Sequence, residues 1–169
     1  MATTADLLLD SLARVRDTAH RVLDDTPDDV LATPPAPRTN TVAWLVWHLT
    51  RGLDEQVAGA FGYDAVWEAG GWRERFALPL PADVHGYGMT FDEVLLVQAS
   101  ADDLRGYLDA AVAAAEAALR TVTDDDLDRV VDESWDPPVT LAVRLVSVID
   151  DCTQHVGQAA YASGILDRR

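Results

Sequence analysis

The sequence predicts an all-α protein, a four-helix bundle with a long crossover between its second and third helices. Three observations lead there. Four segments return apolar residues every three or four positions, the rhythm of one helix face. No segment sustains the period-two alternation that marks a half-buried strand. Between the second and third periodic segments lies a stretch rich in Gly, Pro and aromatic residues, too long for a tight helical hairpin, so the chain must cross over there.

In the first helix, Leu8, Leu12, Val15, Ala19 and Val22 advance by four, three, four and three, with Thr3 or Thr4 as cap. The proline-rich TPPAPRTN, Thr33 to Asn40, closes the connection that follows. A second helix opens near Thr39 to Thr41 and runs through VAWLVWHLTRGLDEQVAGAF, with Gly59 and Gly62 loosening its end. The crossover extends from Gly62 to Met89 and carries short helical turns. Thr90 with Glu93 forms a capping box, from which a long third helix is predicted through FDEVLLVQASADDLRGYLDAAVAAAEAALRTV, bent near Ser100. The acidic TDDDLDRVVDESWDPP reads as a plain connection. The last helix, VTLAVRLVSVIDDCTQHVGQAAYASGIL, aligns Leu141, Leu145, Val148, Ile149, Cys152, Val156 and Ala159 on one broad stripe.

The 169 residues, 49% of them apolar, suit one domain spanning 1–169, with a core that needs no covalent staple. The single Cys152 excludes an internal disulfide and suits a reducing compartment. Nothing resembles a signal peptide or a membrane span, so a cytoplasmic protein is expected. Twenty-nine acidic residues against 13 basic ones, all Arg, give a net charge of −16. Such a surface repels phosphate backbones and anionic lipid, so neither nucleic acid nor membrane is an expected partner. An amphipathic outer face would admit a homodimer. The absence of Lys beside abundant Ala, Arg, Val and Asp points to a GC-rich genome.

Asp151 and His155 stand four residues apart, one above the other on the edge of the last helix's apolar stripe. A surface ion pair would explain them by themselves. His48, however, sits among Trp44, Leu45, Trp47 and Gly52 in the second helix, where a buried imidazole needs a partner. Bundles build metal sites from inward-facing carboxylates and imidazoles on facing helices. His48, Asp151 and His155 make a two-His, one-carboxylate set for a divalent ion with at least one open position. Zinc suits these donors best, and nickel, iron or manganese would also be accepted. A structural ion riveting two helices is the non-enzymatic alternative.

Arg51, one turn after His48, and Arg144, two turns before Asp151, are the candidate catalytic cations for an anionic group of substrate; surface pairing with the abundant acids is the plainer role for each. Cys152 points into the stripe as a core residue. His20 is expected to be exposed, and Trp67, Trp72 and Trp135 to pack or line.

The segments TVAWLVWHLTRGLDEQVAGAFG, GYGMT and DDCTQHVGQAAYASGIL resemble, in order, the DinB superfamily, and most of all its mycothiol-dependent transferase branch. The resemblance implies a four-helix bundle whose metal is held by His48 and by positions 151 and 155. Many members carry His at the first of those last two positions. Asp151 is similar instead to the acidic ligand of the maleylpyruvate isomerase relatives. Met89 stands where related sequences often read His in Gly-Tyr-Gly-His-Thr.

The activity implied is S-transfer: mycothiol, a low-molecular-weight thiol that suits a GC-rich genome, attacks a small electrophile, with isomerisation as a close variant and detoxification as a setting. A metal-dependent hydrolase using an activated water is the competing chemistry. Its general base would have to be Glu55.

Overall fold

The computed structural model describes residues 1–167. Its frame is four long helices: α1 (Thr4–Asp25), α2 (Val42–Phe61), α6 (Ala101–Leu119) and α7 (Leu141–Leu166). Each of α1 and α2 packs against both α6 and α7, so the core lies between two helix pairs. Three short helices occupy the crossover: α3 (Val66–Ala69), α4 (Trp72–Phe76) and α5 (Phe91–Val94). A two-stranded antiparallel hairpin, β1 (Val130–Asp132) and β2 (Val139–Thr140), precedes α7. Among the described residues no helix is long and apolar enough to cross a membrane.

Local chemistry sets the ends of these elements. Thr3 and Asp6 form a reciprocal capping box on α1. Thr41 and Thr140 each accept a backbone N–H through the side chain at the starts of α2 and α7. Gly62 closes α2 in the left-handed conformation, with φ at 76°.

α2 is buried on nearly every side, from Val42 to Asp54 without interruption. Its neighbours α6 and α7 take two sides, and the crossover roofs the third through Trp67 and Phe76, which pack with Tyr107 of α6. A helix surrounded in this way cannot leave polar groups unpaired cheaply. Thr50 accordingly bonds back to the carbonyl of Val46 at 2.7 Å. Asp54 accepts the N–H groups of Val66 and Trp67 and the hydroxyl of Tyr107, at 2.8–2.9 Å. This one carboxylate therefore caps α3 and fastens the crossover to α2 and α6.

Two expectations need correction. The predicted long third helix is broken: α5 ends at Val94, and α6 begins only at Ala101. Val94 and Val97 are both pulled into the core, and Ser100 starts a new helix by capping Asp103 while Asp28 accepts the N–H of Ala101. Ser100 is a helix start, not a bend. The connection before α7 is a hairpin, with Val130 opposite Thr140 and Asp132 opposite Val139. Arms of three and two residues are too short to display a period. Two smaller readings also change. His20 is only partly exposed, its Nε2 lying 2.8 Å from Asp109 of α6, and Trp135 is exposed on the hairpin.

Candidate metal centre

α2 and α7 face each other, and their contact brings together residues a hundred positions apart. One ligand atom from each of His48, Asp151 and His155 lies within 4.8 Å of the others. The imidazole rings of His48 and His155 meet edge to face, centroids 4.7 Å apart. Trp44, one turn before His48, stacks on its ring at 4.6 Å with 23° between the planes. Its indole N–H reaches the sulfur of Met89 at 3.3 Å, so Met89 steadies the indole that lies against His48.

The hydrogen bonds decide which ring nitrogens remain free. Nδ1 of His48 is 2.6 Å from the carbonyl oxygen of His85, and Nδ1 of His155 is 2.8 Å from that of Asp151. A carbonyl only accepts, so each Nδ1 carries the proton and each Nε2 keeps its lone pair. That is the arrangement in which metal-binding histidines are oriented by a partner on the other nitrogen. Burial pulls the pKa of His48 below the usual imidazole range, against the opposing effect of the His85 hydrogen bond. The contact between the Asp151 carboxylate and His155, 3.4 Å from Oδ1 to Nδ1, raises the pKa of His155 and lowers that of Asp151.

The donor set fits a divalent ion: two imidazoles with a free lone pair and one ionised carboxylate. Two donors each about 2.1 Å from one ion can stand at most about 4.2 Å apart. A small rotation of the side chains therefore separates this arrangement from one that closes on a metal. Asp151 faces Gly52, where even a β-carbon would make only ordinary contact with Oδ2, at 3.6 Å.

Arg51, three residues after His48, and Arg144, seven before Asp151, differ in their surroundings, and their partners lie outside the trio. Arg51 is 1% exposed, so it is not the surface cation its acidic neighbours suggested. Its Nη2 pairs with Glu55 and approaches the carbonyl of Val84 at 3.5 Å, and its guanidinium lies 4.7 Å above the Trp67 ring. Arg144 donates to Gln56 at 2.8 Å and to Asp132 of the hairpin at 2.7 Å. Glu55 is thus held by Arg51. Cys152 is fully buried, its sulfur 3.6 Å from the carbonyl of Leu49, and burial pushes its pKa far above the usual thiol range.

Sequence reasoning missed three contributors. The carbonyl of His85 orients His48, but a backbone atom has no sequence signature. Gly86 makes that approach possible, and within GYGMT nothing marks it as facing an imidazole. Asp54 looks like one more acid in an acidic chain, although its place among Leu53, Val57 and Ala58 on a helix with little polar surface is a usable signal.

A crossover bundle with an inward-facing trio of two histidines and a carboxylate defines a class of helical proteins equipped to hold a metal. The chain belongs to the DinB superfamily, whose family model matches residues 11–159. It is similar over 100% of both chains to a crystal structure described as the conserved protein of locus from Enterococcus faecalis, with 34% identity and a TM-score of 0.92. No curated protein matches it.

Proposed function

We propose that the protein is a metal-dependent thiol S-transferase. His48, Asp151 and His155 would hold a divalent ion, zinc by preference, with mycothiol as the thiol cosubstrate and a small electrophile as acceptor. The observation that carries this reading is the pairing of both Nδ1 atoms with carbonyl oxygens, which leaves each Nε2 lone pair uncommitted in a trio that also holds a carboxylate. When bound, a divalent ion supplies Lewis acidity that keeps a thiol deprotonated at neutral pH. In the reaction a carbon–sulfur bond forms as the bond to the leaving group breaks, and the thiol proton departs to solvent.

The chain's own residues have distinct parts. Asp151 contributes a negative charge that two imidazoles alone lack, which favours a more nucleophilic sulfur. Trp44 and the His85 carbonyl fix the plane of His48. Arg51 helps to hold the crossover over α2 through Val84 and Trp67. Arg144 bounds the site beyond Gln56, and a substrate anion would reach it by displacing Asp132. A hydrolytic reading lacks an available base, since Glu55 is paired with Arg51.

The test compares turnover of 1-chloro-2,4-dinitrobenzene by the zinc-loaded protein with mycothiol, with another thiol and with none. Thioether formation that requires mycothiol supports the proposal. Ester turnover without any thiol, in place of thioether formation, would overturn it.

A further inference from the structure

The segment between α1 and α2 carries an arginine unlike the others. Arg38 is the one described arginine with neither a hydrogen bond nor an ion pair, in a chain whose acids outnumber its bases by more than two to one. Its φ is 60°, a left-handed conformation that side chains with a β-carbon rarely adopt. The turn holds it there: Thr39 Oγ1 accepts the N–H of Ala36 at 3.1 Å and donates to the carbonyl of Ala36 at 2.8 Å. Glycine or asparagine would suit that backbone better, so an arginine there calls for a reason in its side chain.

Arg38 borders a groove of about 520 Å³ between this turn and the C-terminal half of α7. Leu45, Ala162 and Ile165 form its apolar wall, and Gln158 and Tyr161 stand at its polar side. Its volume is that of a small-molecule site. Two of its lining residues lie one helical turn from proposed ligands, Leu45 before His48 and Gln158 after His155. One turn is about 5 Å along the axis, and Leu45 is the neighbour of Trp44, which stacks on His48. An unpaired guanidinium, an apolar wall and lining residues one turn from the trio together specify one kind of ligand.

We infer that this groove binds the acceptor substrate of the site, a small apolar molecule bearing a single carboxylate or sulfonate that pairs with Arg38. The inference rests on the proposed transferase reading for what happens to the ligand, but not for its binding. The acidic surface repels a free anion elsewhere, and Arg38 offers the fork that accepts one.

The test uses calorimetric titration of the full chain, zinc-loaded and metal-stripped, with two probes. These are 8-anilinonaphthalene-1-sulfonate and its uncharged relative N-phenyl-1-naphthylamine. Arg38→Gln should weaken the sulfonate roughly tenfold and leave the uncharged amine unchanged. Gln158→Trp, which fills the groove from its exposed rim, should weaken both. Arg38→Gly should lose sulfonate affinity as Arg38→Gln does, with a thermal midpoint unchanged or raised, since glycine accepts the positive φ.

Equal sulfonate affinity in wild type and Arg38→Gln, undiminished binding in Gln158→Trp, or a lowered midpoint in Arg38→Gly would each overturn the inference. Zinc titration of the same preparations separates the two readings. Arg38-dependent binding by a protein that takes up no zinc sinks the metal reading alone. Zinc uptake without Arg38 dependence sinks the groove alone.

Discussion

A β-carbon on Gly86 would stand 2.3 Å from Nδ1 of His48, closer than any real side chain allows. The crossover backbone presses directly on the imidazole, with Gly86 at φ 110°, and in doing so delivers the His85 carbonyl to Nδ1 at 2.6 Å. Gly86→Ala must move this segment or the ring. Zinc affinity should then fall about 10- to 100-fold, read by competition with a chromogenic chelator, while the helical circular dichroism is retained. Unchanged affinity would separate the His85 contact from metal binding.

Asp54 should be among the costliest positions away from the trio. Asp54→Ala strands two backbone N–H groups and the Tyr107 hydroxyl in a buried setting. A loss of about 3 kcal/mol is expected, measured by urea unfolding. Asp54→Asn keeps an acceptor oxygen and should cost less.

Alkaline pH should unfold the protein through its tyrosines. Burial raises the pKa of Tyr63 to about 12 and lifts that of Tyr107 well above its ordinary 10, with Asp54 adding to both. Above pH 10 the unfolded chain releases these protons while the folded chain keeps them. The unfolded state then binds fewer protons, and unfolding free energy falls as pH rises. The stabilisation is complete below about pH 10 and is lost progressively toward 12. The urea midpoint should therefore drop between pH 9.5 and 11.5, roughly the span of the tyrosine titration. Tyr63→Phe should reduce the drop. It should cost little at neutral pH, because the Tyr63 hydroxyl is buried without a hydrogen-bond partner.

Cys152 adjoins Asp151 in sequence but faces the core, and its thiol is fully buried. Iodoacetamide should leave it unmodified in the native protein and alkylate it in 6 M guanidinium, a concentration on the order of that needed to unfold even very stable domains, as followed by intact-mass spectrometry. Cys152→Ala should keep zinc uptake and S-transfer. Loss of transfer with zinc retained would make the thiol a participant.

Much of this architecture was legible in the residues. Leu8 to Val22 and Leu141 to Ala159 announce amphipathic helices, and Thr3, Thr41 and Ser100 occur where helices start. The trio was legible because the spacing of Asp151 and His155 puts them on one face, and because His48 had no business being unpaired among tryptophans. Elsewhere tertiary burial overrode local pattern. LLVQAS reads as helix until Val94 and Val97 are drawn into the core, and the hairpin arms are too brief for alternation. The pairing of Arg144 with Asp132 depended on that unseen hairpin. Arg51 followed the same logic: its burial comes from the crossover folding over α2, a contact no helical periodicity encodes.

The central claim is that His48, Asp151 and His155 jointly hold one divalent ion. Calorimetric titration of zinc into the metal-stripped protein and into His48→Ala and His155→Ala tests it most directly. The account predicts one tight equivalent in the wild type and its loss in both variants, with helicity preserved. A wild type that takes up no zinc, or variants that bind it as tightly as the wild type, would contradict it.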